Sequence, residues 1–162
     1  MDVYTLIATI GPGLAEGLAV IGTTLGIASA TASGIPALAE DPRLRGKVFI
    51  LAFLPMTQTL VYGLTFMFLS YYLILPSIVA KYNGAIPAHI AGAIFGISLY
   101  VGLAELFSAL MQGKVCGQTA AQLVKTRGAI HGTGMILAIY EELFGVLGMV
   151  FGIVMMFLFA TW

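Results

Sequence analysis

Four carboxylates stand where ionisation is expensive. Glu16, Glu105, Glu141 and Glu142 all fall inside long apolar stretches. An ionised side chain at the centre of a bilayer costs at least about 2.5–3.5 kcal/mol on insertion scales, so each acid is a site candidate. Glu141 and Glu142 are neighbours, and adjacent positions on a helix point about 100° apart, so the pair cannot face one site. A second polar group lies at Leu54-Pro55-Met56-Thr57-Gln58. Pro55 has no N–H, which deprives the Leu51 carbonyl of its helical partner and loosens the ladder. Thr57 and Gln58 add a hydroxyl and an amide oxygen, and Gln112 in Met111-Gln112-Gly113-Lys114 adds a second amide. One carboxylate, two amides, a hydroxyl and a loosened backbone are oxygen ligands for a hard cation. A single negative charge suits a monovalent ion. Na⁺ needs its hydration shell replaced by such neutral oxygens, whereas H⁺ needs only the carboxylate. The same three polar side chains would also serve as plain hydrogen-bond partners between helices, and spacing alone leaves both readings open.

The elements that must hold these groups are membrane helices. Of 162 residues, 60% are hydrophobic and 9% charged, against about 25% charged in average soluble domains, too few to cover a soluble fold. Four stretches reach the roughly 20 residues that a spanning helix needs. They run from about Gly11 to Leu38, Lys47 to Leu75, Ala88 to Met111 and Gly134 to Trp162. The expected fold is an all-α integral membrane protein, residues 1–162 as one membrane domain, with a first helical hairpin at 11–75 and a second at 88–162. Zero net charge argues against nucleic acid as a partner. The single cysteine, Cys116, excludes an intramolecular disulfide and reads as a small apolar residue. No basic region precedes the first stretch, so that stretch is expected to stay uncleaved.

Arg43, Arg45, Lys47, Lys114, Lys125 and Arg127 lie in or beside the first and third connections, and Lys81 alone lies by the second. The positive-inside rule then makes the connections 39–47 and 114–133 cytoplasmic and leaves both termini outside, in a multi-pass protein of the cell membrane. Tyr71, Tyr72 and Trp162 fall near the outer edge, as interfacial aromatics do. His89 and His131 sit at membrane edges and read as interfacial; Glu16, near the outer end of helix 1, reads as interfacial or pore-facing. Gly13/Gly17, Gly22/Gly26 and Gly92/Gly96 are small-xxx-small pairs that let backbones approach in lipid, whereas helices 2 and 4 are rich in Phe, Met and Leu. The two hairpins repeat this layout more than they repeat residues.

The elements Leu54-Pro55-Met56-Thr57-Gln58, Gln112-Gly113-Lys114-Val115 and Tyr140-Glu141-Glu142 with Leu147-Gly148 beyond resemble the four-helix rotor-ring proteolipid of V-type ATPases, nearest the sodium-translocating kind. The resemblance covers nearly the whole chain. It implies a homo-oligomeric rotor ring with helices 1 and 3 lining its inner side. It also implies an ion site between helices 2, 3 and 4 made by the Leu54 carbonyl, Thr57, Gln58, Gln112 and a helix-4 Glu. In that pattern the Glu stands six residues before the Gly of a Leu-Gly pair, which selects Glu142 over Glu141. The family's helix-2 Tyr stands three residues after the Gln; here that place is Val61, and Tyr62 follows it. Glu141 and Glu105 are additional acids, and Glu105, seven residues before Gln112, shares its helix face.

The implied function is that of a rotor subunit in an ATP-driven ion pump. Ion binding would neutralise Glu142 while it passes lipid, and an Arg on a separate stator subunit would displace the ion. Central-stalk subunits, lipid and further copies of the chain complete the expected partners, with Na⁺ as cargo, H⁺ as the alternative, and no organic cofactor. The sequence contains no phosphate-binding loop, so ATP hydrolysis is expected on other subunits. A small channel or secondary transporter, or an oligomeric membrane scaffold, would use the same acids and glycines.

Overall fold

The computed structural model describes residues 2–161. Four long helices account for nearly all of them: α1 Val3–Glu40, α2 Pro42–Lys81, α3 Ala88–Ala121 and α4 His131–Thr161, each long and apolar enough to cross a membrane. Helix α1 starts eight residues before the expected Gly11 because Asp2 caps it. Asp2 Oδ1 accepts the backbone N–H groups of Tyr4 and Thr5, both at 2.9 Å, supplying partners for two of the donors that a helix start leaves open. These backbone donors, with the Thr5 hydroxyl, hold the Asp2 carboxyl below its ordinary range.

Helix α3 likewise outruns the sequence reading. Met111-Gln112-Gly113-Lys114 looks like a helix end, yet the helix continues to Ala121, and the connection contracts to 122–130. The reason is packing. Helices α1 and α3 run parallel, with Gly102 against Ala15, Gly22 against Leu106 and Gly117 against Ser29. At their crossing, a Cβ on Gly113 would collide with the backbone of Gly26. Gly113 is therefore there for close approach between helices, and it does not end the helix. Of the glycine pairs read from sequence, Gly22/Gly26 serves the α1–α3 contact, whereas Gly17, Gly92 and Gly96 face open space.

Helix α2 is continuous but not uniform. A 3-10 turn at Leu54–Met56 follows Phe53, then π-helical turns at Gln58–Gly63 and Ser70–Ile74 alternate with α-helix. Pro55 begins this departure, as a residue without an N–H must. The Pro55 carbonyl accepts from Thr23 Oγ1 of α1 at 2.9 Å.

Two apolar clusters fill the interior, one at each end. Phe66, Ile74, Ile78, Ile94, Val101 and Met156 belong to the first. Leu44, Val48, Leu51, Cys116, Leu123 and Ala138 belong to the second. Between them lie the buried polar groups Gln58, Glu105, Ser108 and Gln112. On the outside, large apolar side chains are bare: Ile136 is 60% exposed and Phe144 62%. Such surface on a helix of this length fits lipid or neighbouring helices.

The basic connections gather at one end of the bundle, where Lys47 Nζ donates to the Gly128 carbonyl at 2.9 Å. Gly128 itself has φ +80°, a backbone conformation that glycine adopts without cost. Arg43 pairs with Asp41 at 2.9 Å, and its side chain and backbone donors hold the Asp41 carboxyl below its ordinary range. At the other end, Tyr71 is not a free interfacial aromatic. Its hydroxyl donates to the Thr9 carbonyl at 2.6 Å and accepts from Gly13 N–H at 3.1 Å, joining α2 to α1. Tyr72 is exposed and stacks on Phe68. His89 is exposed, and His131 begins α4 with Nε2 buried. Trp162 lies outside the described residues.

Candidate ion-binding site

The structure brings Leu54, Thr57, Gln58, Gln112 and Glu142 into one hydrogen-bonded group between α2, α3 and α4. Thr57 Oγ1 lies 3.1 Å from both the Leu54 carbonyl and Gln58 Oε1. Gln58 Nε2 donates to Gln112 Oε1 at 3.1 Å and to Ser108 Oγ at 2.9 Å. Gln112 Nε2 donates to Glu142 Oε2 and to the Ala138 carbonyl, both at 3.3 Å. The other carboxylate oxygen, Oε1, accepts from the Tyr62 hydroxyl at 2.8 Å. The amides of Gln58 and Gln112 are fully buried, while Tyr62 and Glu142 are half-buried. The carboxylate thus sits at the mouth of the site, with the amides as its floor.

Backbone geometry explains how Tyr62 arrives there. In an α-helix the third and fourth residues after Gln58 flank its face on opposite sides. The π-helical turn from Gln58 to Gly63 takes in an extra residue per turn, which swings the fourth residue back toward that face. Val61 is accordingly 48% exposed, and Tyr62 fills the place that the resemblance gives to a tyrosine three residues on.

Glu141 is separate. Its half-buried side chain lines an outward groove with Tyr100, Phe107, Met111, Phe144 and Phe151, while its carbonyl accepts from Ser108 Oγ at 2.7 Å. Sequence reasoning missed Ser108, which ties Gln58 to α4. Its position one turn before Gln112, on the same helix face, was the available signal. Glu105 is fully buried, and Glu16 turns one carboxylate oxygen inward against Gly63. The reading of Glu16 as interfacial or pore-facing does not describe that oxygen, which is buried without a partner.

The donor set bears on which cargo fits. As the amides stand, Gln112 presents an N–H to Glu142, and its oxygen faces Gln58. Two donors on one carboxylate stabilise its charge. A cation bound there gains an oxygen ligand from Gln112 only if that amide turns over, giving up its bond from Gln58.

A membrane helical protein built of paired hairpins, with a hydrogen-bonded carboxylate within its last helix, is the class that this fold and site define. The profile of the ATP synthase C-subunit family matches the chain twice, at residues 10–70 and 95–155, and the chain belongs to that family. Over 149 residues it is 31% identical to the A-type ATP synthase subunit K of Methanocaldococcus jannaschii, covering 92% of this chain and 62% of that relative's length.

The two matches make the hairpins a repeat. The matched spans are of equal length (10–70 and 95–155), and laid end to end without gaps they pair residue n of the first with n + 85 of the second. Gly63 then corresponds to Gly148, Thr23 to Ser108 and Thr57 to Glu142. Thr23 and Ser108 each donate to a carbonyl of the second helix in their own hairpin, those of Pro55 and Glu141. At the place where the second hairpin carries its carboxylate, the first carries a hydroxyl.

Proposed function

We propose that the chain is the membrane rotor subunit of a rotary ATPase and carries a monovalent cation, Na⁺, on Glu142. The observation that carries this reading is the convergence of Thr57, Gln58 and Gln112 on one half-buried carboxylate. The single carboxylate supplies one charge, and the neutral oxygens replace hydration. With its charge neutralised by the ion, Glu142 passes the lipid face at bearable cost. A stator subunit's Arg then displaces the ion, since the Lys and Arg residues of this chain lie at or beside the helix connections. Central-stalk subunits would transmit the rotation, and nucleotide chemistry would occur on other subunits. One carboxylate per four helices means few ions per turn, which suits ATP-driven pumping. Gly17, Gly92 and Gly96, open in the single chain, are places for neighbouring copies in a ring, with α1 and α3 on its inner side. The basic end would face the cytoplasm.

One observation favours H⁺ as the second reading: the Gln112 amide turns its N–H, and not its oxygen, toward Glu142. The deciding experiment measures ATP-driven uptake of ²²Na⁺ into liposomes containing the whole ATPase. Na⁺ accumulation that persists with a protonophore supports the sodium reading. Acidification of the lumen without Na⁺ uptake selects H⁺, and passive conductance of the chain alone selects a channel.

A further inference from the structure

We infer that Glu105 is a second, proton-binding site of each chain: a carboxyl kept in the acid form inside the helix packing, distinct from the carboxylate that carries the cargo. Glu105 is 0% exposed, and neither of its oxygens has a hydrogen-bond partner. Its walls are the glycine face of α4. A Cβ on Gly145 would lie 2.8 Å from Glu105 Oε2 and 3.0 Å from Ser108 Oγ; one on Gly148 would lie 4.0 Å from Oε1. The carboxyl therefore presses on bare backbone, where a hydrated cation has no room and a proton needs none. Isolated buried carboxylates lose so much hydration that they neutralise instead.

No compensating charge is at hand. Of the titratable groups, Glu16 from α1 and Tyr62 from α2 interact with Glu105, while of the α4 acids Glu141 meets Ser108 through its carbonyl and Glu142 meets Tyr62. All are acidic or neutral. Glu16 acts on Glu105 electrostatically and keeps an unpartnered buried oxygen of its own against Gly63, the counterpart of Gly148 in the repeat. In each hairpin a carboxyl of the first helix thus lies against a glycine of the second, Glu16 on Gly63 and Glu105 on Gly145. Like charges sharing one apolar interior cannot both be ionised. Glu142 differs from Glu105 in accepting two hydrogen bonds, from Tyr62 and Gln112, and in reaching the surface. The chain then holds a carboxyl proton that takes no part in ion movement, and this inference stands whichever ion Glu142 carries.

Infrared spectroscopy of the purified full chain in detergent tests it, because carboxylic acid and carboxylate absorb at different frequencies. The Glu142→Gln variant removes the cargo carboxyl. At neutral pH it is expected to retain an acid band, and Glu142→Gln/Glu105→Gln to lose at least half of that band's intensity. Adding Glu16→Gln assigns the remainder. No acid band in Glu142→Gln at neutral pH overturns the inference, as does a band unchanged by Glu105→Gln. Should the double variant fail to fold, Glu142→Gln/Glu16→Gln, which keeps Glu105, decides when the pH is raised. A band persisting well above the ordinary carboxyl range supports the inference, and one that vanishes in that range overturns it.

Discussion

The hydroxyl of Tyr62 donates to Glu142 Oε1 at 2.8 Å, joining the first hairpin to the second across the mouth of the site. The π-helical turn at Gln58–Gly63 makes the contact possible. Tyr62→Phe removes the donor and leaves the ring in place. Hydrogen bonds to charged groups contribute about 1.5–3 kcal/mol, so the variant should weaken cargo binding about tenfold or more. The midpoint of Na⁺ protection against carbodiimide labelling reports this directly. An unchanged midpoint would mean that the hydroxyl holds the helices together without tuning the site.

Glu142→Gln is expected to abolish transport by the assembled ATPase, and Glu141→Gln to leave a substantial part of it. Glu142 meets Tyr62 and Gln112, whereas Glu141 lines the outward groove beside Phe107 and Phe144. Transport assays on both variants in one membrane background decide the matter. Loss in Glu141→Gln with retention in Glu142→Gln would move the site.

Much of this site is legible in the chain because its residues carry unusual chemistry for their surroundings. Thr57, Gln58, Gln112 and a helix-4 acid announce themselves among apolar neighbours, and the structure brings them together. Four things were not legible. Ser108 looks like any small helical residue until the rotation of α3 aims it at Gln58 and the Glu141 carbonyl. Gly113 resembles a helix end, because a glycine needed for backbone contact and one needed for termination are the same letter. The position of Tyr62 depends on a change of helical pitch that periodicity at 3.6 residues cannot express. The repeat was visible in layout; its register, with Thr57 opposite Glu142, needed the twofold family match.

Two glycine substitutions should separate folding from assembly. Gly113→Ala sets a Cβ against the backbone of Gly26, where no side chain can move aside. The chain is expected to lose stability by about 1–3 kcal/mol, as overpacked interiors do. A Cβ on Gly96, from which Gly96→Leu extends, meets nothing within 4 Å in the single chain. The variant should fold normally yet yield fewer closed rings if a neighbour packs there. Thermal stability and particle size in mild detergent are the two readouts. A monomer or dimer as the sole species of the unsubstituted chain would count strongly against ring assembly.

The identity of the cargo follows from how labelling of Glu142 responds to Na⁺ and to pH separately. A hydrophobic carbodiimide reacts with a protonated, unoccupied carboxyl. Raising the pH should slow labelling by removing the proton, and millimolar Na⁺ at fixed pH should slow it by occupying the site. Gln112 separates the two effects. Its oxygen becomes an ion ligand only when the amide turns away from Gln58, whereas its N–H supports the ionised carboxylate as the structure stands. Gln112→Leu should therefore shift the Na⁺ protection midpoint by more than tenfold. The pH dependence of labelling should change less, since Tyr62 remains as a donor to the carboxylate. Labelling that ignores Na⁺ up to high concentration across the pH range would make H⁺ the cargo. The amides of Gln58 and Gln112 would then be hydrogen-bond partners between helices and nothing more.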